Sequence, residues 1–169
     1  MTDLTLAIIL PLLGAFLLPV VARNGLRWLG TILGPTVLAL SAWVVLSNAA
    51  AYESPYAIAL GGFAPPLGIT LYVDPMALLF ALTIPLVTLL LWPGDGDEDG
   101  IRRQSLTLLL AASLTGLALS GDLFNLYVFY ELAAVASYGL AAGSGSSSGF
   151  VAAFRYLLLS ALGSVIGLM

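Results

Sequence analysis

Asp122-Leu123-Phe124-Asn125-Leu126-Tyr127-Val128-Phe129-Tyr130-Glu131-Leu132-Ala133-Ala134-Val135-Ala136-Ser137-Tyr138-Gly139-Leu140 is the stretch that decides the fold. A run this long and this apolar reads as a membrane-spanning helix, because a hydrocarbon layer of about 30 Å takes about 20 residues at about 1.5 Å each. Glu131 breaks the pattern. It stands about ten residues in, near the middle of the layer. A charge at that depth costs about 3 kcal/mol on insertion scales, and ionisable groups kept there mark ion or proton pathways. Desolvation pushes a buried carboxyl toward its neutral form and a nearby cation pulls it toward the charged form, so a carboxylate held between the two can load and release a proton. The competing reading is an acid satisfied by a neighbouring helix or by backbone. The functional reading is favoured.

Composition agrees with a membrane setting. Of the 169 residues, 60% are apolar and 8% are charged, against about 25% charged in soluble domains. Mean hydropathy is +1.07. Cys, His and Lys are all absent. Disulfides and thiolate metal sites are therefore excluded, the usual haem and iron–sulfur ligands are missing, and no metal or cofactor is expected. Any proton carrier must be a carboxylate, with Tyr as the other candidate, and any cationic partner within the chain must be Arg. No catalytic motif, Gly-rich phosphate loop or other nucleotide signature is present, and no nucleic-acid partner is implied.

Apolar runs predict an all-α integral membrane protein, one transmembrane domain of six helices at about 4–22, 28–47, 74–92, 104–120, 122–142 and 150–169. The first run lacks the basic leading region of a cleaved signal and is read as a retained span. Arg23, Arg27, Arg102, Arg103 and Arg155 all fall toward one side, which the positive-inside rule makes cytoplasmic. Asp3, Glu53, Asp74 and Asp122 fall toward the other. Both termini then face outward, across a cell inner membrane. The outward loop at 48–73 is punctuated by Gly61-Gly62 and Pro65-Pro66 and ends in Ile69-Thr70-Leu71-Tyr72-Val73, which predicts a short extended hairpin. Residues 93–101 read as a solvated acidic turn, lacking the ligand spacing of a calcium loop. Residues 143–149 read as a flexible link.

Several other residues carry two readings. Asp122 is an N-terminal cap first and a proton-entry group second. Asp74, followed by Pro75, is a helix entry. Tyr127 lies one turn from Glu131 and within hydrogen-bonding reach of it. Ser137, Ser160 and Ser164 can hold water or bridge helices. Arg155 either snorkels to the interface or turns inward toward Glu131; a guanidinium does not give up its proton, so it sets a field and relays nothing. Gly163 and Gly167 form a GxxxG pair suited to close helix packing.

Gly121 to Glu131, followed by Ala136-Ser137-Tyr138-Gly139-Leu140, resembles the fifth helix of antiporter-like subunits. These are the D-type subunits of Mrp-type sodium/proton antiporters and the pumping subunits of respiratory complex I and membrane-bound hydrogenases. Val151 to Ser164 resembles their sixth helix, and Gly68 to Ala77 resembles the entry to their third. The resemblance implies that Glu131 is the family's fifth-helix glutamate and that Arg155 stands where a Lys is common. It also implies that the seventh-helix lysine, the glutamate's usual partner, lies outside these 169 residues.

On that footing the chain is expected to be a proton-translocating, or sodium/proton-translocating, subunit of a multi-subunit membrane complex. Its partners would be lipid and other membrane subunits, including one that supplies the missing C-terminal helices. The alternatives are a non-conducting structural subunit of a membrane arm and, ranked last, a small self-associating channel.

Overall fold

The computed structural model describes residues 3–23, 28–63, 68–94, 98–143 and 147–167. The chain runs α1 (Leu6–Arg23), α2 (Trp28–Ala50), β1 (Tyr56–Ala59), a single 3₁₀ turn (Leu60–Gly62), β2 (Thr70–Val73), α3 (Pro75–Leu90), α4 (Glu98–Ala118), α5 (Leu123–Ala142) and α6 (Ser147–Gly167). Among the described residues α1, α2, α5 and α6 are long and apolar enough to cross a membrane. Helix α3 has 16 residues, about 24 Å, which is short of the hydrocarbon thickness. Helix α4 has 21 residues but opens on Glu98-Asp99 and carries Arg102 and Arg103.

Two connections differ from the expectation. The acidic stretch at 93–101 is helical from Glu98 onward, and Arg102 meets Asp99 one turn back at 3.1 Å. An i,i+3 charge pair on a helix surface supports the extra turn. The link at 143–149 is helical from Ser147 onward. Residues 95–97 and 144–146 lie outside the described residues, as do Arg27 and the Pro65-Pro66 pair.

Helix α4 sits at the centre. It packs against α1, α2, α3 and α5; α1 also packs on α2, α2 on α3, and α6 on α5. This placement explains why α4 can be the least apolar of the six. Gln104, Ser105, Ser113 and Thr115 are all buried, turned to protein instead of lipid. The hydroxyls of Ser105, Ser113 and Thr115 donate to carbonyls one turn back on their own helix. One core cluster gathers Leu4, Val45, Leu71, Val73, Leu78 and Leu119. A second gathers Ala15, Leu18, Leu38, Leu108 and Ala111.

Between α2 and α3, β1 and β2 pair antiparallel with Tyr56 opposite Val73 and Ala59 opposite Thr70. The outer edge of β2 meets the α4–α5 joint. The Tyr72 N–H donates to the Leu119 carbonyl, and the Gly121 N–H to the Thr70 carbonyl, each at 2.8 Å. A side chain at Gly121 would stand 3.0 Å from Thr70 O and Tyr72 N, so only Gly lets the strand approach this closely. The start of α5 is thereby fixed to the β2 edge.

Helices α4 and α5 approach through Gly116, over which the Phe129 ring lies; a methyl group there would collide with the ring. We expect Gly116→Ala to cost about 1–3 kcal/mol by overpacking. Chemical unfolding in detergent measures it. Adding Phe129→Leu should return part of the loss, and a double variant no more stable than the single contradicts this packing.

Candidate functional site

Helix α5 begins at a firm cap. Asp122 Oδ1 accepts from the Asn125 N–H at 2.7 Å and Oδ2 accepts from the Thr70 N–H at 2.8 Å. One carboxylate thus closes the first turn of α5 and holds β2. The Asn125 side chain, 3% exposed, donates to Ser120 Oγ at 3.2 Å. Asp74 caps α3 in the same way, accepting from the Ala77 N–H at 2.7 Å. Nearby and outside the helices, burial first and the Asp74 carboxylate second push the Tyr52 phenol above its ordinary range.

Glu131 is the ninth residue of α5, about 12 Å from the start of the helix and about 16 Å from its end. Its side chain is half-buried, and its Oε1 is buried with no hydrogen-bond partner among the described residues. Tyr127 does not hydrogen-bond it; the Tyr127 ring instead lines a depression described below. Ser137 donates to the Ala133 carbonyl of its own helix at 2.8 Å. No ion pair joins Glu131 to Arg155 among the described residues, and Arg155 is exposed.

The reason for that separation is angular. The buried residues of α6 are Ala153, Ser160 and Ser164. Arg155 is two positions past Ala153, about 200° around the helix, so it points away from the face that packs on α5.

What α6 does bring to α5 is the Ser160 hydroxyl and the Tyr156 ring. Tyr130 Oη and Ser160 Oγ stand 3.5 Å apart. Tyr138, two turns on from Glu131 along α5, faces α6 as well. Its ring meets Tyr156 edge-on, centroids 5.5 Å apart. Sequence reasoning does not single out Tyr138. The signal is its spacing: seven residues from Glu131 is two helical turns, which puts both on one face.

Among the described residues nothing stands within 4 Å of where a Cβ at Gly163 or Gly167 would lie. Both glycines line a depression of about 290 Å³ with Leu123, Leu126, Tyr127, Tyr130 and Ser164. Among the described residues the GxxxG pair makes no close helix contact.

These features define a multi-pass membrane protein with a carboxylate midway along its fifth helix. The chain is homologous to antiporter-like membrane subunits. Over 163 residues it is 33% identical to the N subunit of NADH-quinone oxidoreductase from Desulforudis audaxviator, covering 91% of this chain and 32% of that one. Over 168 residues it is 30% identical to the D-type component of the Na(+)/H(+) antiporter from Bacillus subtilis, covering 95% and 34%. It superposes on a chain of the Mrp complex from Dietzia with a TM-score of 0.82 at 28% identity, covering 98% of this chain and 33% of that chain. No family model matches the chain. It spans about a third of the length of the curated relatives it matches.

Asp122→Ala should remove both the cap and the strand anchor. A lost cap costs about 1 kcal/mol and a charge-assisted hydrogen bond about 1.5–3 kcal/mol. Hydrogen exchange at the Thr70 and Asn125 amides should quicken together. Quickening at Asn125 alone would show that the carboxylate does not hold β2.

Proposed function

We propose that this chain is an ion-translocating subunit of a multi-subunit membrane complex, in which Glu131 takes up and releases a proton, alone or in exchange for sodium. The observation that carries this reading is the buried, unpartnered Oε1 of Glu131. An unsatisfied buried acceptor costs about 1–3 kcal/mol. A proton, a water molecule or a cation from another chain removes that cost, and each is what a proton path provides. The hydroxyls of Tyr130, Tyr138 and Ser160 lie along the same seam. A rotating hydroxyl can donate or accept, so it accommodates Glu131 in either protonation state.

The relatives support the class of activity, since they are antiporter and quinone-oxidoreductase subunits. In this reading six helices cross the cell inner membrane. The end bearing Arg23 and Arg102 faces the cytoplasm by the positive-inside rule, and the strand pair and both termini face outward. Arg155, nine residues into α6 and turned away from α5, faces a neighbouring subunit, since a charge at that depth is costly against lipid. Another subunit supplies the helices that complete the path beside α5 and α6.

Glu131→Gln in the assembled complex should lower proton or sodium flux on the order of a hundredfold, the range a positioned proton-transfer group contributes, while Glu131→Asp keeps part of it. Flux unchanged in the Gln variant would sink the proposal.

A second reading has its own support. No cation of this chain meets Glu131 among the described residues, so the chain is alternatively a structural subunit that conducts nothing. That reading predicts normal flux in Glu131→Gln and makes the glycine face the chain's main contribution. Gly163→Leu or Gly167→Leu should then leave the isolated chain folded, since a Cβ there meets nothing within 4 Å and the depression of about 290 Å³ beside it has room for the rest of the side chain, and should abolish co-purification of its partners. Retained co-purification counts against that surface.

A further inference from the structure

At the end of the bundle that carries Arg23 and Arg102 beside the acidic opening of α4, Glu98-Asp99, the last turn of α1 and the first turns of α4 leave a groove of about 380 Å³, within the range of about 300–1,000 Å³ usual for small-ligand sites. Its wall is apolar, formed by Pro19, Ala22, Ile101 and Leu106, and Arg23 and Arg102 stand in its lining. Ser105 also lines it, but its hydroxyl is turned back to the Ile101 carbonyl at 2.9 Å. Arg23 makes no ion pair among the described residues. Arg102 meets Asp99 at 3.1 Å with both side chains more than half exposed, 52% and 69%, a pairing that contributes little and exchanges readily. Arg102 also approaches the Gly143 carbonyl at 3.5 Å. Its place near the positive end of α4 further favours an anion.

We infer that this groove binds an anionic phospholipid, with the phosphate between Arg23 and Arg102 and an acyl chain along Pro19, Ala22, Ile101 and Leu106. Charge complementarity selects the headgroup. Basic pockets between membrane helices at the cytoplasmic side recognise such headgroups. The apolar wall selects a lipid over a free anion, because a free phosphate would lose hydration against carbon and recover few hydrogen bonds. The site lies at the opposite end of α4 from Asp122.

Binding of phosphatidylglycerol, phosphatidylcholine and inorganic phosphate to the full chain in neutral detergent tests this. Phosphatidylglycerol should bind about thirtyfold more tightly than phosphatidylcholine, the effect expected of two basic residues at a membrane surface. The double variant Arg23→Gln/Arg102→Gln should bring the ratio near one. Ala22→Trp, which fills the apolar wall and leaves both charges, should weaken both lipids, and it serves if the double variant does not fold. Equal binding of the two lipids, a preference that survives the double variant, or inorganic phosphate binding as tightly as phosphatidylglycerol would each overturn the inference. So would an assembled complex in which a partner chain shields the groove and excludes phosphatidylglycerol.

Discussion

Gln104, Ser105, Ser113 and Thr115 lie along α4, each buried, and the arrangement of the other helices follows from them. Hydrocarbon does not satisfy side-chain polar groups. A helix carrying four of them is stable in a membrane only when its own carbonyls bond the hydroxyls and other helices cover it. Both conditions hold. The hydroxyls bond back along α4, the Gln104 amide donates to the Pro93 carbonyl at 2.9 Å, and four helices surround α4. The consequence reaches the functional side of the molecule. With α4 enclosed, α5 lies at the periphery and α6 outside it. Large apolar side chains of α6 such as Leu159, Leu162 and Ile166 remain exposed.

Polar groups along α5 show what is unusual about Glu131. Asp122 has a partner for each oxygen, Asn125 bonds Ser120, and Ser137 bonds its own helix. All these solutions are local or lie at the helix end, where backbone N–H groups are free. Midway along a helix no free N–H exists, because each is bonded four residues back. A carboxylate at that depth must find its partner in another side chain, on its own helix face or on another element. Tyr127 shares its face but is turned to the surface depression. The orphaned oxygen is therefore a result of position as much as of residue type.

Much of this is legible in the sequence, and the parts that are not share a cause. Asp74-Pro75 and Asp122 mark the starts of α3 and α5 to within a residue, since capping is a local interaction. The apolar runs at 4–22, 28–47 and 122–142 match α1, α2 and α5 closely. The apolar run at 104–120 puts the start of α4 six residues late because such runs report the layer, while the helix continues into its charged first turn through the Asp99–Arg102 pair. The β2 half of the hairpin shows in its β-branched and aromatic residues. The β1 half does not, because Tyr56–Ala59 is only four residues long and takes its extended form by pairing with β2. The centrality of α4 cannot be read from spans at all: low hydropathy suggests a weaker span, and only packing turns it into a buried one.

The same limit governs the α5–α6 seam. Whether Arg155 turns toward Glu131 depends on which face of α6 packs on α5, and periodicity does not decide this in a helix apolar on every side. Packing picks out Ala153, Ser160 and Ser164, residues small enough to bring the two backbones close. Two of the three carry hydroxyls. Choosing that face puts Arg155 about 200° away and sets Ser160 beside Tyr130 and Tyr138. One packing choice thus exchanges a fixed positive charge for neutral groups that can serve as donor or acceptor. Among the described residues, what α6 turns toward α5 is small side chains, the Ser160 hydroxyl and the Tyr156 ring, and its one cation stands on another face.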